Sequence, residues 1–152
     1  LRDFFLVAPM VYAAVSRLAA LNATEGQIAE LEQMQKQFVQ AVKDGDVQSK
    51  VYFNDQFHNF VGVMADNAFL IPSLRRLLID HARIAQTFYR PANREMREAL
   101  TKATHHHDLM IDAFRRHDED EAARLAIEHW ELSRRQIENF VTPESMDVPL
   151  GG

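Results

Sequence analysis

Six stretches of this chain carry apolar residues at intervals of three and four, and none reads as a strand. That spacing lines apolar side chains along one face of an α-helix. With only five Gly and five Pro in 152 residues, the helical stretches are long and the breaks between them short. The pattern predicts an all-α fold, an antiparallel bundle of about six helices with no β-sheet, because short connections set consecutive helices side by side.

Local signals place the ends. The first helix is predicted from about Arg2 to Leu21, with Pro9 either kinking it or marking its true first turn. Thr24 caps a second, Glu25 to about Lys43, with the inward stripe Ile28, Leu31, Met34 or Gln35, Phe38 and Val42. Gly45 stops it, and Asp46 caps a third running from Val47 to about Ala65. A fourth is expected from Pro72 to about Tyr89, with Leu74, Leu77 or Leu78, His81, Ile84 and Phe88 inward. "RPAN" breaks it, Asn93 caps a fifth that reaches Arg116, and Asp118 caps a sixth ending near Phe140. "VTPESMDVPLGG" then reads as a frayed tail.

At 17.5 kDa the chain has the size of one domain and can bury a core without staples. It has no Cys, which excludes a disulfide framework, a thiolate metal site and a cysteine nucleophile, and fits a reducing, cytoplasmic setting. Charges interrupt the apolar residues often enough that no run is expected to approach the roughly 20 residues that span a bilayer. The start, "LRDFFLVAPM", lacks a basic n-region and a cleavage site, and having no initiator Met it reads as a fragment. A net charge of −5 gives the chain no general attraction to phosphate backbones or anionic membranes.

Within this pattern, "FNDQFHNF" at 53–60 is discordant. Asn54 and His58 fall one turn apart on the stripe Val51, Asn54, His58, Val61. The fifth helix carries His107 in the series Leu100, Ala103, His107, Met110, Phe114, and the sixth carries His129 among Ala122, Leu125 and Leu132, broadened by Trp130. A single His on an apolar face is commonly a hydrogen-bonded core residue. Three such helices in one small bundle point instead to a divalent metal, because one ion satisfies several buried imidazoles at once. Asn54 could add an amide oxygen. Asp55 is the stronger ligand chemically but lies about 100° further round the helix, so spacing leaves the two open. His81 either lines a cavity beside the metal or bonds a backbone carbonyl. His105 falls on the solvent side of its helix, His106 at the boundary, and His117 in the corner before the last helix.

Three segments resemble the FCD domain, the C-terminal effector-binding domain of FadR-type regulators in the GntR family of bacterial transcription factors. "NDQFHNFVGVMADNAFL" is similar to the family's Asp or Asn, Phe-His and later Asn, here Asn54, Phe57, His58 and Asn67. "HDLMIDAFRRHDEDEAARLAIEH" resembles its closing signature through His107, Ala113, Asp118, Ala122 and His129, and "RLAALNATEGQIAELEQM" resembles its first and second helices. The resemblance implies that Asn54, His58, His107 and His129 hold a divalent ion, zinc, nickel or manganese-like, and so favours Asn54 over Asp55. It also implies a small organic acid effector completing the ion's coordination, a homodimer, and DNA binding only through an N-terminal winged-helix domain outside this chain. Residues 1–141 would form the ligand-binding and dimerisation domain, and 142–152 the tail. Where family members commonly show an Arg and, four residues later, a Glu, this chain places Ala8 and Tyr12. The six helices suit the family's shorter subclass. The alternative is a metal-dependent enzyme, because three His and an open position also describe catalytic zinc. Against it, no obvious general acid or base falls on the same inward faces, and Asp55 is the only near carboxylate.

Overall fold

The structure, a computed structural model, describes residues 1–141. Its elements are α1 (Arg2–Asn22), α2 (Glu25–Asp44), α3 (Val47–Ala65), α4 (Leu70–Ile84) with a 3-10 turn at Ala85–Tyr89, α5 (Arg94–Arg115) and α6 (Glu119–Val141). No strand occurs among the described residues, as the periodicity predicts. The expected tail at 142–152 lies outside them.

The capping signals act as read. Thr24 and Gln27 form a reciprocal capping box, the Thr24 hydroxyl accepting from the Gln27 amide at 3.2 Å and the Gln27 side chain from the Thr24 amide at 3.1 Å. Asp46, Asn93 and Asp118 each accept from the amide three residues on. Each such cap stabilises its helix by about 1 kcal/mol. Gly45 closes α2 at φ 66°, a left-handed turn that a residue without Cβ adopts at little cost.

Pro9 lies inside α1, beyond its first turn. The fourth helix departs further from expectation. Asn67 starts it, its side-chain oxygen accepting from the amides of Phe69 and Leu70 at 3.0 Å, so Pro72 falls in the first turn, where a missing N–H costs nothing. The α-helix ends at Ile84, and the 3-10 turn that follows carries Phe88 and Tyr89 into the interior before Pro91.

The consecutive pairs α2 and α3, α3 and α4, and α5 and α6 pack together as expected, and the departure is at the first helix. α1 lies chiefly along α6 and α3, with α4 and α5 also in reach, while α2 pairs with α3 and α5. The interior surface of α1 is taken chiefly by the last helix. On α2, Gln35 and Ala41 are buried, and Met34 and Val42 flank them half-buried. α3 and α4 approach closely at Gly62, where a Cβ would stand 2.4 Å from the Leu74 side chain. One large cluster around Leu31, Phe57, Met64, Phe114 and Leu125 forms the dry core.

The expectation that no segment is long and apolar enough to cross a bilayer does not hold for α1, which passes that test by length and composition. Ala8, Val15, Ser16, Ala19 and Ala20 form its buried side, while Leu6 and Met10, one turn apart, are 65% and 66% exposed.

Candidate functional site

α3, α5 and α6 bring His58, His107 and His129 together, with one ring nitrogen of each within 4.8 Å of the others. The ring centroids are 4.9 to 5.2 Å apart. His107 is fully buried. His58 and His129 keep some accessible surface, and both line an internal cavity of about 60 Å³.

His107 has an orientation fixed by atoms that leave no alternative. The Gln35 side-chain amide donates to the Thr104 carbonyl at 3.0 Å and to Asp108 at 3.3 Å, both of them acceptors only. Its oxygen therefore faces His107 and accepts from Nδ1–H at 2.8 Å. The proton being on Nδ1, Nε2 holds a lone pair, and the ring is clamped by stacking on Phe57 at 4.1 Å and 12°. Among the described residues, that Nε2 is the sole buried side-chain nitrogen or oxygen with no hydrogen-bond partner. A buried lone pair left unpaired is costly, and a cation would satisfy it.

His129 is oriented from behind in the same manner. His106 Nδ1 stands 3.3 Å from His129 Nδ1, and when His129 is the donor of that contact its Nε2 lone pair is left for the cluster. His106 is therefore not at a boundary, as the sequence suggests, but buried at 3% exposure. α5 is covered on two sides, by α2 and by α6, so two adjacent histidines can both point inward. His105 is exposed, as expected. His117 at the corner uses Nδ1 on the Ala20 carbonyl at 2.8 Å and takes no part.

Electrostatics keep the cluster neutral. Burial, reinforced by His81, pulls His58 down to about 3, and burial with the neighbouring histidines holds His107 and His129 well below the usual imidazole range. At neutral pH all three are unprotonated, the state a metal ligand requires. The donor set fits a divalent ion: three neutral imidazoles converging, one with an orphaned lone pair.

Asn54 and Asp55 both line the same cavity. The Asp55 carboxylate lies outside the cluster of donor atoms, and burial raises its pKa. Its charge in turn helps to raise that of Tyr89, across the cavity wall. Asp55 forms no ion pair among the described residues, and neither Lys nor Arg lines the cavity.

His81 also lines it, though not as a core residue bonded to a backbone carbonyl: its Nδ1 lies 3.0 Å from the Tyr12 hydroxyl. Burial pulls His81 down to about 4 and raises the Tyr12 phenol above its usual range, the latter helped by Asp80. Trp130 meets the His81 ring edge-on at 5.5 Å and 89°. Sequence reasoning left Gln35, His106 and Tyr12 without a role. The signal for Gln35 was a polar residue on the α2 stripe, and for Tyr12 a phenol among the apolar residues of α1.

Comparison with known proteins gives this geometry its context. The family model of the FCD domain matches residues 10–132. The fold is similar to E. coli McbR/YncC, with a TM-score of 0.80 and 17% identity over 93% of this chain and 66% of that one. It is also similar to Streptococcus agalactiae GntR, with a TM-score of 0.71 and 19% identity over 88% of this chain and 57% of that one. This chain thus spans less than two thirds of the length of either. A search of curated proteins found no match.

Proposed function

The chain belongs to the FCD domain family, and from that premise we propose that it senses a small carboxylate through a divalent metal held by Asn54, His58, His107 and His129. FCD domains of GntR-type regulators are regulatory effector-binding modules and not enzymes, which sets the catalytic alternative aside. The observation that carries the metal reading is the buried Nε2 of His107, aimed into a cluster of two further neutral imidazoles with no other partner among the described residues.

An Asn and three neutral His leave the 2+ charge of zinc, nickel or a manganese-like ion uncompensated, and leave open positions on it. An organic acid would supply both the negative charge and the missing oxygen. The ligands come from three helices, so effector binding favours the bundle arrangement in which α3, α5 and α6 are drawn together. α1 packs on both α3 and α6 and would feel that shift, a change of population between two states. In the whole regulator, residues 1–141 would act as a cytoplasmic homodimer, with the exposed Leu6 and Met10 of α1 available to a second copy, and DNA would be bound by an N-terminal winged-helix domain outside this chain.

Titration calorimetry tests the reading, with zinc as probe metal and simple carboxylates as probe acids. Zinc-loaded protein is expected to bind an acid saturably, and EDTA-treated protein to lose that binding. Undiminished acid binding after chelation would show that any metal is at most structural.

A further inference from the structure

Beside Ser16, Asn54, Asp55 and Tyr89, two groups of polar rings line the cavity. One is the histidine cluster; the other is the pair of Tyr12 and His81, contributed by α1 and α4. Of the His81 ring only Nδ1 has a partner among the described residues, and the ring lines the cavity. Resting on the sensing function proposed above, we infer that the Tyr12–His81 pair is the specificity-determining station of that cavity. It selects a short monocarboxylate carrying a second, neutral oxygen, a hydroxyl or carbonyl, over dicarboxylates.

Geometry, charge and size each limit the ligand. When the Tyr12 hydroxyl donates to Nδ1, the His81 proton sits on Nε2, and the ring presents a single neutral donor to the cavity. Edge contacts from Trp130 at 5.5 Å and Phe4 at 6.1 Å hold the ring in place, so this donor is oriented in advance. A second carboxylate would meet no cation here, because among the described residues no Lys or Arg lines the cavity and the one charged side chain in its wall is Asp55, of like sign. Burying an unpaired carboxylate is far costlier than burying a hydroxyl with one hydrogen bond. The volume of about 60 Å³ has room for roughly four to six water molecules at ~10–15 Å³ each, which suits an acid of three or four carbons.

Three probe acids separate these terms: propanoate, 3-hydroxypropanoate and butanedioate, titrated into zinc-loaded wild type, Tyr12→Phe and His81→Leu. Wild type is expected to bind 3-hydroxypropanoate tightest and butanedioate at least tenfold more weakly. Tyr12→Phe should lose about 5 to 10-fold for the hydroxy acid, the worth of one net hydrogen bond, and under twofold for propanoate. His81→Leu should show the same selective loss, and unchanged zinc affinity in both variants shows that the fold and the metal cluster survive. An equal loss for both monocarboxylates, or butanedioate binding as tightly as the hydroxy acid, overturns the inference. If EDTA leaves all affinities unchanged, the metal-based reading fails while the selective loss in Tyr12→Phe still judges the pair. If none of the acids binds zinc-loaded wild type, both fall.

Discussion

His107 and His81 are both imidazoles on apolar helix faces, and each has its Nδ1 bonded to one neutral side chain from another helix, Gln35 in one case and Tyr12 in the other. Their second nitrogens differ. His107 Nε2 is sealed inside beside two more histidines, without a hydrogen-bond partner among the described residues; the His81 ring lines a cavity and meets the rings of Phe4, Tyr12 and Trp130. The difference leaves one residue type in two chemical settings. The side chain behind the ring sets which nitrogen carries the proton, and the ring's neighbours decide whether the other nitrogen suits an ion or an organic ligand.

The largest expected effect tests the His107 half of that contrast. His107→Ala removes a ligand and the orphaned nitrogen together, and zinc affinity measured by competition with a chelator should fall by more than about 100-fold, since even groups behind the ligands are worth ~10–100-fold. Carboxylate binding should go with it. His105→Ala, on the exposed face of the same helix, should change neither. A His107→Ala protein with wild-type zinc affinity would break the comparison outright.

Gln35 gives the next largest effect. Gln35→Leu keeps the volume but removes the acceptor that holds the His107 proton on Nδ1, so zinc affinity should fall by roughly 10 to 100-fold while the ligand set stays complete. If the fall equals that of His107→Ala, Gln35 is acting on the fold and not on the ring; a melting temperature within a few degrees of wild type separates the two.

The sequence made the histidine cluster legible because three helices repeat one irregularity, a His on an apolar stripe, and a period of 3.6 residues shows this directly. It could not choose between Met34 and Gln35, because neighbours 100° apart both border the same stripe and the choice depends on how α2 rolls against α5. His106 was misread for a related reason: a single stripe assumes one covered face, whereas α5 is covered on two. Tyr12 gave no periodic signal, since nearly every residue around it on α1 is apolar and its partner is 69 positions away. The start of α4 was set too late because Pro72 is a conspicuous marker, while the cap that acts, Asn67, lies five residues before it.

Acid should act differently on the two halves of the cavity. His58 is held down to about 3 and His81 to about 4, against roughly 6.5 in an unfolded chain, with His107 and His129 also depressed. As pH falls below about 6.5 the unfolded chain binds protons that the folded one refuses, so their contribution is intact above that value and is lost progressively toward the folded pKa values. Metal-free protein should therefore melt on the order of 10–20 °C lower at pH 5.5 than at pH 7.5. His81→Leu removes one such group and the cluster contains three, so the variant should keep most of the acid sensitivity. Zinc-loaded protein should lose more on acidification than metal-free protein, because the cluster histidines cannot take up protons without releasing the ion. A His81→Leu protein whose melting temperature no longer responds to pH in this range would assign the sensitivity to the Tyr12–His81 pair and take it away from the histidine cluster.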